Sequence, residues 1–449
     1  MTKIQNKIYQ FILFLGDSLF FIASLYTAYA LRNKDFYPSF GDISILIYAF
    51  SPIFAVVVLS YFIATLYEVP SLMTTMARAK MILRLHLVAL VFGLGIFYIF
   101  PVFGITPKVI LILQMIAYTI FQIFWRVFMS HRIRTNKKRK ALLVGQGQIF
   151  SELKSAVNDN PQSSIVFAEH IEVHSPLLVD TSLESLRTVL KENDISLLVV
   201  DVRNEKVIPL LPYFYNLVDD GVRIYDVYKM YEDVFRRTPL SSIGYFWFFE
   251  HVTLDMRIYE MLKRIVDILV SATMLVLYLF ILPFIYLAIK LDDKGPLLSI
   301  QKRFGKGGNI IDIYKIRTMS FTDEGDWVLQ NKINKVTRVG KFLRKTRLDE
   351  FPQLLNVLLG EVSLVGPRSD ILANGKKLSN EIPFYTMRYT ILPGLSGWAQ
   401  VNQELPPNSI EETKLRLQYD LFYVKNRSIL LDVVIMVRTI RVLLMRSGI

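Results

Sequence analysis

Between Leu343 and Arg368 the chain reads LRKTRLDEFPQLLNVLLGEVSLVGPR, with the adjacent carboxylates Asp349 and Glu350 set among clustered guanidiniums. Arg344, Lys345 and Arg347 precede the pair and Arg368 follows it. That is more cation than two carboxylates need, and an anionic ligand such as a phosphate accounts for the surplus. Pro352 is tolerated only in the first turn of a helix, so a helix burying Phe351, Leu354, Leu355 and Leu358 is predicted to begin near Asp349 and to stop at Gly360. The carboxylates then sit at a positive helix end. The competing reading makes Asp349 an N-cap and the arginines a solvated face or a lipid headgroup contact.

The chain has no cysteine, which excludes disulfides, thiolate chemistry and cysteine metal sites. Its histidines are His86, His131, His170, His174 and His251. Acid–base or nucleophilic work beyond His251 therefore falls to other groups, carboxylates first. Hydrophobic residues make up 52% of the 449, and the mean hydropathy is +0.36, too apolar for an ordinary soluble protein of this length. A membrane protein with soluble parts follows. The formal net charge of +13 suits an anionic membrane surface, a phosphorylated substrate or nucleic acid, and the apolar runs favour the first two.

Stretches near Ile8–Leu31, Ile43–Leu66, Met81–Phe103 and Val109–Met129 are each long enough for a membrane helix, and the first runs on into a second span as a signal peptide would not. Lys3, Lys7, Arg78, Lys80, Arg84 and the run His131–Lys140 are basic, whereas the loop Phe100–Pro107 carries no charge. Both ends of the bundle are thus expected on the cytoplasmic side. The period then changes to short strands, near Ala141–Val144, Ile165–Ala168, Ile195–Asp201 and Val222–Val227, alternating with helical patterns near Ser151–Asn158 and Ser182–Glu192. This is the pattern of a small parallel α/β domain. Gly145-Gln146-Gly147-Gln148-Ile149-Phe150 resembles a dinucleotide fingerprint, but Phe150 stands where the third glycine belongs, so a scaffold or regulatory role is the expectation. Tyr259 and Lys263 match a dehydrogenase YxxxK spacing without the preceding βα repeats, a match read as chance.

Ile265–Ile289 is apolar enough to span a membrane and is interrupted by Pro283. A proline there removes a helical hydrogen bond and bends the axis. A helix that enters, bends at Pro283 and returns keeps the basic remainder of the chain cytoplasmic; a fifth, kinked span is the alternative. Leu297–Arg303 and Ile310–Arg317 read as strands joined at Gly305-Lys306-Gly307-Gly308, and alternation puts Lys315 and Arg317 on one strand face. Ile429–Met445 carries Arg438 and Arg441 among aliphatic residues, the pattern of either an interfacial helix or a core helix.

From about Lys263 onward the chain resembles the bacterial polyprenyl-phosphate glycosyl-1-phosphate transferases. The matching pieces, in order, are KRIVDIL, QKRFGKGGN, YKIRTM, VTRVGKFLRKTRLDEFPQLLNVLLGEVSLVGPR, LPGLSGWAQVN and YDLFYVKNRSILLDVVIM. The resemblance implies three parts: a membrane α-helical bundle over 1–135, a degenerate Rossmann-like α/β domain over 136–250, and an α+β monotopic catalytic domain over 251–449 with a re-entrant membrane helix at about 265–289. It implies transfer of a sugar 1-phosphate from a UDP-sugar to a polyprenyl phosphate such as undecaprenyl phosphate, with release of UMP, at the bacterial cytoplasmic membrane. In that reading Asp349 is the nucleophile and Glu350 a ligand of Mg2+. Lys315, Arg317, Arg344, Arg368 and Arg388 are the substrate-binding cations, and Pro283 is the membrane break. Membrane lipids are partners, a homodimer is compatible with this reading, and nucleic acid is not an expected partner.

The chain departs from the family pattern at Leu282-Pro283 in place of Ser-Pro, at Ser369 in place of the second proline of PRP, at Gln403-Glu404 after Asn402, and at Leu392 before the Pro-Gly pair. Two other classes frame the reading: a membrane-bound nucleotide-sugar dehydratase, which needs an intact glycine fingerprint, and a non-catalytic membrane scaffold of a polysaccharide export system, in which Asp349→Asn changes nothing.

Overall fold

The computed structural model describes residues 3–37, 40–64, 66–67, 75–99, 108–134, 138–160, 163, 165–171, 183–251, 256–292, 295–320, 335–403 and 405–445. The uncharged loop at Phe100–Pro107, part of the basic run after His131, His174 and Glu404 lie outside them.

Four long helices open the chain: α1 (Lys3–Asn33), α2 (Phe40–Ile63), α3 (Thr75–Ile99) and α4 (Lys108–Arg134). Each contains a stretch long and apolar enough to cross a membrane. They form one bundle, with α4 against α1 and α3, and with Phe50, Ile53, Leu111 and Tyr118 at its core. An ionisable group in hydrocarbon has to find its partner inside the bundle. Arg126 on α4 accordingly pairs with Asp17 on α1 at 2.7 Å, both buried. His86 on α3 bonds Tyr61 on α2 and Thr119 on α4, each at 2.7 Å. These polar contacts cross all four helices.

The α/β segment contains β1 (Arg139–Val144), α5 (Gln148–Asn158), β2 (Ile165–Ile171), α6 (Leu183–Glu192), β3 (Ile195–Val200), α7 (Leu211–Asn216) and β4 (Arg223–Asp226). Its sheet is wholly parallel in the order β2-β1-β3-β4. The core is its own, built on Leu142, Val144, Leu198, Val200 and Phe214. At the first βα turn Gly145 has φ 149°, and a Cβ there would lie 2.0 Å from the Phe150 ring. His170 stacks on that ring and donates from Nε2 to the Gly145 carbonyl at 2.7 Å. The turn that cradles a diphosphate in dinucleotide-binding domains is filled here by the chain's own phenyl group.

Residues from Tyr228 belong to a second compact unit. The catalytic domain expected over 251–449 lies within this unit together with 228–250: β4 ends at Asp226, and the apolar residues after it find partners further along the chain. Ile243 and Trp247 share a core with Val365, Tyr389 and Leu421, and Lys425 pairs with Glu232 at 2.9 Å. This unit begins with most of α8 (Val227–Phe235), followed by α9 (Tyr245–His251) and α10 (Arg257–Asp292). α10 is 36 residues long, is the fifth described helix able to cross a membrane by length and composition, and is helical on both sides of Pro283. Tyr259 and Lys263 on its first turns both donate to Asp432, at 2.9 and 2.8 Å, so the YxxxK spacing serves as a clasp between helices.

The remainder is β5 (Leu298–Phe304), β6 (Ile310–Ile316), α11 (Arg338–Thr346), a 3-10 turn over Leu348–Glu350, α12 (Gln353–Leu359), β7 (Ser363–Val365), α13 (Leu372–Glu381), a 3-10 turn over Tyr385–Thr390, β8 (Gly394–Ser396), α14 (Trp398–Asn402), α15 (Ile410–Asn426) and α16 (Ile429–Met445). β5 and β6 form an antiparallel hairpin whose tip needs the left-handed Gly307 and Gly308, at φ 68° and 81°. β7 and β8 pair in parallel. α16 joins the core through Ile435 and Asp432 while Leu430, Val433, Ile440 and Leu443 stay exposed, so it buries one face and presents the other.

Candidate active site

The helix expected to start at Asp349 starts at Gln353, and the carboxylates occupy the tight turn before it. Thr337 caps the preceding helix through the Gly340 amide, and Arg347 closes it in the left-handed conformation at φ 58°. The chain therefore reverses just before Leu348. Gly360, at φ 84°, ends α12 as expected. Leu354, Asn356 and Val357 point inward, whereas Leu355 is 42% exposed, a correction that follows from the later start of the helix.

Asp349 is 2% exposed, and its Oδ2 meets Lys315 Nζ of β6 at 3.0 Å. Its Oδ1 is buried without a protein partner. Glu350 receives both guanidinium branches of Arg368, at 2.6 and 3.3 Å, and lies 3.5 Å from Arg347. Neighbouring carboxylates are thereby driven in opposite directions. Burial raises the Asp349 pKa, with Lys315 opposing and Glu350 reinforcing the rise. Burial acts the same way on Glu350, but Arg368, Lys315 and Arg347 outweigh it and hold that group at about 2. The sign for Asp349 is fixed: its acid form persists to higher pH than an ordinary aspartate. An infrared titration of metal-free protein is expected to show one carboxyl band, absent in Asp349→Asn, converting above the usual value of about 3.9. Conversion at or below that value would contradict the burial.

The predicted cations divide into two groups. Lys315 and Arg368 meet the carboxylates. Arg344 is anchored by its Nε on Thr318 Oγ1 at 2.8 Å. Arg317, expected to bind substrate, is instead 6% exposed, and its guanidinium donates to the carbonyls of Pro296, Met319 and Ser320. A side chain at Gly295 would collide with it. Arg388, likewise expected at the substrate, is 2% exposed between Asp370 and Asp420, bonds Tyr385, and donates to the backbone carbonyl of Arg368 at 2.8 Å. It holds the segment that presents Arg368. Pro283 lies on α10, which packs along α11 and α12 and whose Tyr278 donates to the Leu348 carbonyl at 3.3 Å.

Arg347, already part of the basic cluster in the sequence, reaches Glu350 at i,i+3. Asp370 and Asp420 were not singled out from sequence, because nothing local ties them to Arg388. Arg438 donates to Asn402 Oδ1 at 2.9 Å and lies over the Trp398 ring at 4.9 Å, which brings a guanidinium from the C-terminal helix to the motif that departs at Gln403. Among the described residues no three His, Cys, Asp or Glu side chains cluster to hold a metal.

A buried carboxylate beside a lysine, with its neighbour clamped in a guanidinium fork, thus sits on an α+β domain with a long apolar helix packed alongside. Residues 258–446 match the family model described as bacterial sugar transferase. An exopolysaccharide production protein of Rhizobium leguminosarum bv. phaseoli is 41% identical over 187 residues, 40% of this chain and 93% of that protein. A UDP-glucose:undecaprenyl-phosphate glucose-1-phosphate transferase of Caulobacter vibrioides is 40% identical over 196 residues, 43% of this chain and 72% of the relative. A UDP-N-acetylgalactosamine-undecaprenyl-phosphate N-acetylgalactosaminephosphotransferase of Aeromonas hydrophila is 40% identical over 193 residues, 42% of this chain. The chain spans 45% of the length of that last relative. The chain belongs to the bacterial sugar transferase family.

Proposed function

We propose that the protein transfers a sugar 1-phosphate from a UDP-sugar to undecaprenyl phosphate and so initiates assembly of a lipid-linked glycan. The observation that carries this reading is Asp349, buried yet with one oxygen unpartnered, beside Lys315 and the Glu350–Arg368 pair. A carboxylate oxygen of Asp349 attacks the phosphorus that bears the sugar. A bond forms from aspartate to phosphorus, the pyrophosphate P–O bond breaks, and UMP leaves with the electron pair. An oxygen of the acceptor phosphate then attacks the same phosphorus and returns the carboxylate. Two displacements at one nucleophile give ping-pong kinetics. Lys315 and Arg368 offset the charge that otherwise repels an attacking carboxylate from a diphosphate.

Mg2+ fits these residues, since the ion takes one or two carboxylates and completes its shell with water and substrate phosphate, each Glu350 oxygen keeps a further lone pair beside its bond to Arg368, and the neighbouring Asp349 Oδ1 is buried without a protein partner. Glu350 would hold it. Bound there, it supplies charge neutralisation on the diphosphate.

Residues at both ends of α10 engage the same compact unit, Arg264 through the Val357 and Leu358 carbonyls and Asp292 through the Val339 amide. That supports a helix that returns to the side it entered, with the catalytic domain at the cytoplasmic face, where nucleotide sugars are dissolved and the acceptor phosphate sits at headgroup level. The exposed Phe280, Phe284 and Leu287 then face lipid.

UMP release from a panel of UDP-sugars with Mg2+ and undecaprenyl phosphate tests the proposal. Release with at least one sugar is expected; none with any, in a detergent where the Caulobacter relative works, would refute it. Arg368→Lys keeps the charge but loses the fork on Glu350, and kcat/KM is expected to fall about 100-fold in the same assay. An unchanged value would remove Arg368 from the site.

A further inference from the structure

Asn356 lies two turns beyond Asp349 and is fully buried. Its Oδ1 accepts from the Tyr314 amide at 3.2 Å, and its Nδ2 donates to the Asp312 carbonyl at 2.7 Å and to Glu361 Oε2 at 2.6 Å. One partner can only donate and two can only accept, so the amide has a single orientation. β5 occupies the other edge of β6. Asn356 therefore stands where a third strand would pair, and it grips β6 at the residue immediately before Lys315. The same short segment, Leu348–Leu359, thus meets β6 twice: once at the reacting carboxylate, through Lys315, and once at this amide.

We propose that Asn356 is a positioning residue that sets the register of β6 against the Asp349 turn, and hence the Lys315–Asp349 approach; this rests on the sugar-phosphate transfer proposed above. Asparagine is required for its mixed valence. An aspartate in its place would turn an acceptor toward the Asp312 carbonyl and the Glu361 carboxylate, and an apolar residue would leave the outward N–H and C=O of β6 unpaired. A residue acting on catalysis only through Lys315 loses its effect once Lys315 is altered, which separates positioning from general stabilisation.

The test uses the detergent-purified full chain and whichever of UDP-glucose and UDP-N-acetylgalactosamine the unsubstituted protein turns over. Asn356→Asp is expected to lower kcat about 100-fold, the loss associated with a misplacement of about 1 Å, and to leave KM within about threefold. Asn356→Thr gives the same readout should the aspartate variant not fold. Adding Asn356→Asp to Lys315→Arg is expected to slow that variant by no more than about threefold. A kcat near that of the unsubstituted protein, a loss confined to KM, or losses that multiply in the double variant would overturn the proposal. Absence of UMP release from the unsubstituted protein would instead strike the transfer reading. Hydrogen exchange across residues 310–316 then decides the register claim alone: faster exchange in Asn356→Asp supports it, and unchanged exchange overturns it.

Discussion

Asp349→Asn is expected to reduce UMP release by at least about 10⁴-fold, the scale seen when a covalent nucleophile is removed, while the protein remains folded. The substitution keeps the shape of the side chain and the acceptor oxygen toward Lys315. What it removes is the charge and nucleophilicity of a carboxylate that burial has stripped of solvent. Glu350 cannot take over, because both of its oxygens are engaged by Arg368 and its low pKa marks a weaker nucleophile. The measurement is multiple-turnover UMP release with the sugar that the unsubstituted protein uses. Activity within tenfold would return the site to the scaffold reading.

Arg388→Met is expected to be the most destabilising of the substitutions considered. The guanidinium is buried between Asp370 and Asp420, and Tyr385 and Tyr389 close the cluster through their hydroxyls. Removing the cation strands the buried Asp420 and takes the chief partner from the partly exposed Asp370, with Arg416 left to offset part of their charge, a change of about 3–5 kcal/mol when a buried pair is broken from one side. For a unit of this size that lowers the unfolding midpoint by about 10 °C. Burial pushes the Asp420 carboxyl up against the opposing Arg388 and Arg416, whereas on Asp370 burial is outweighed by Arg388 and Arg416 and the group is held down. Arg388→Lys restores charge without the fork and is expected to recover part of the midpoint. Thermal unfolding of the purified chain checks both; an unchanged midpoint in Arg388→Met would show that the triad contributes little.

The membrane helices were legible because length and apolarity alone define them, and the α/β strands because short apolar runs alternate with amphipathic helices. The β5–β6 hairpin followed from its glycines. Asp349, Glu350 and Arg368 were legible as a charge imbalance in a short stretch, Lys315 from strand alternation and the family resemblance, and the four come together. The partners of Arg317 and Arg388 were not legible in the same way. A cation whose partners are backbone carbonyls, or acids as far away as Asp420, looks in sequence like a cation awaiting a ligand. Leu355 and the start of α12 were misjudged for a related reason: the left-handed Arg347 and the tight turn after it shift the helix by one turn, and no glycine marks the spot. That 228–250 packs with the C-terminal unit was hidden because Ile243 and Trp247 have partners more than a hundred residues on. At Phe150 the sequence showed only that the third glycine of a fingerprint is missing; that its ring packs against Gly145 took the structure to see.

The central claim is that Asp349 carries the phosphosugar between the two substrates. Intact-mass measurement of the protein incubated with its UDP-sugar and Mg2+, without undecaprenyl phosphate, tests it most directly. The account predicts a mass increase of one sugar phosphate, located on the peptide containing Asp349, absent in Asp349→Asn and discharged when undecaprenyl phosphate is added. UMP release by a protein that never gains that mass, or a label found on another residue, would contradict it.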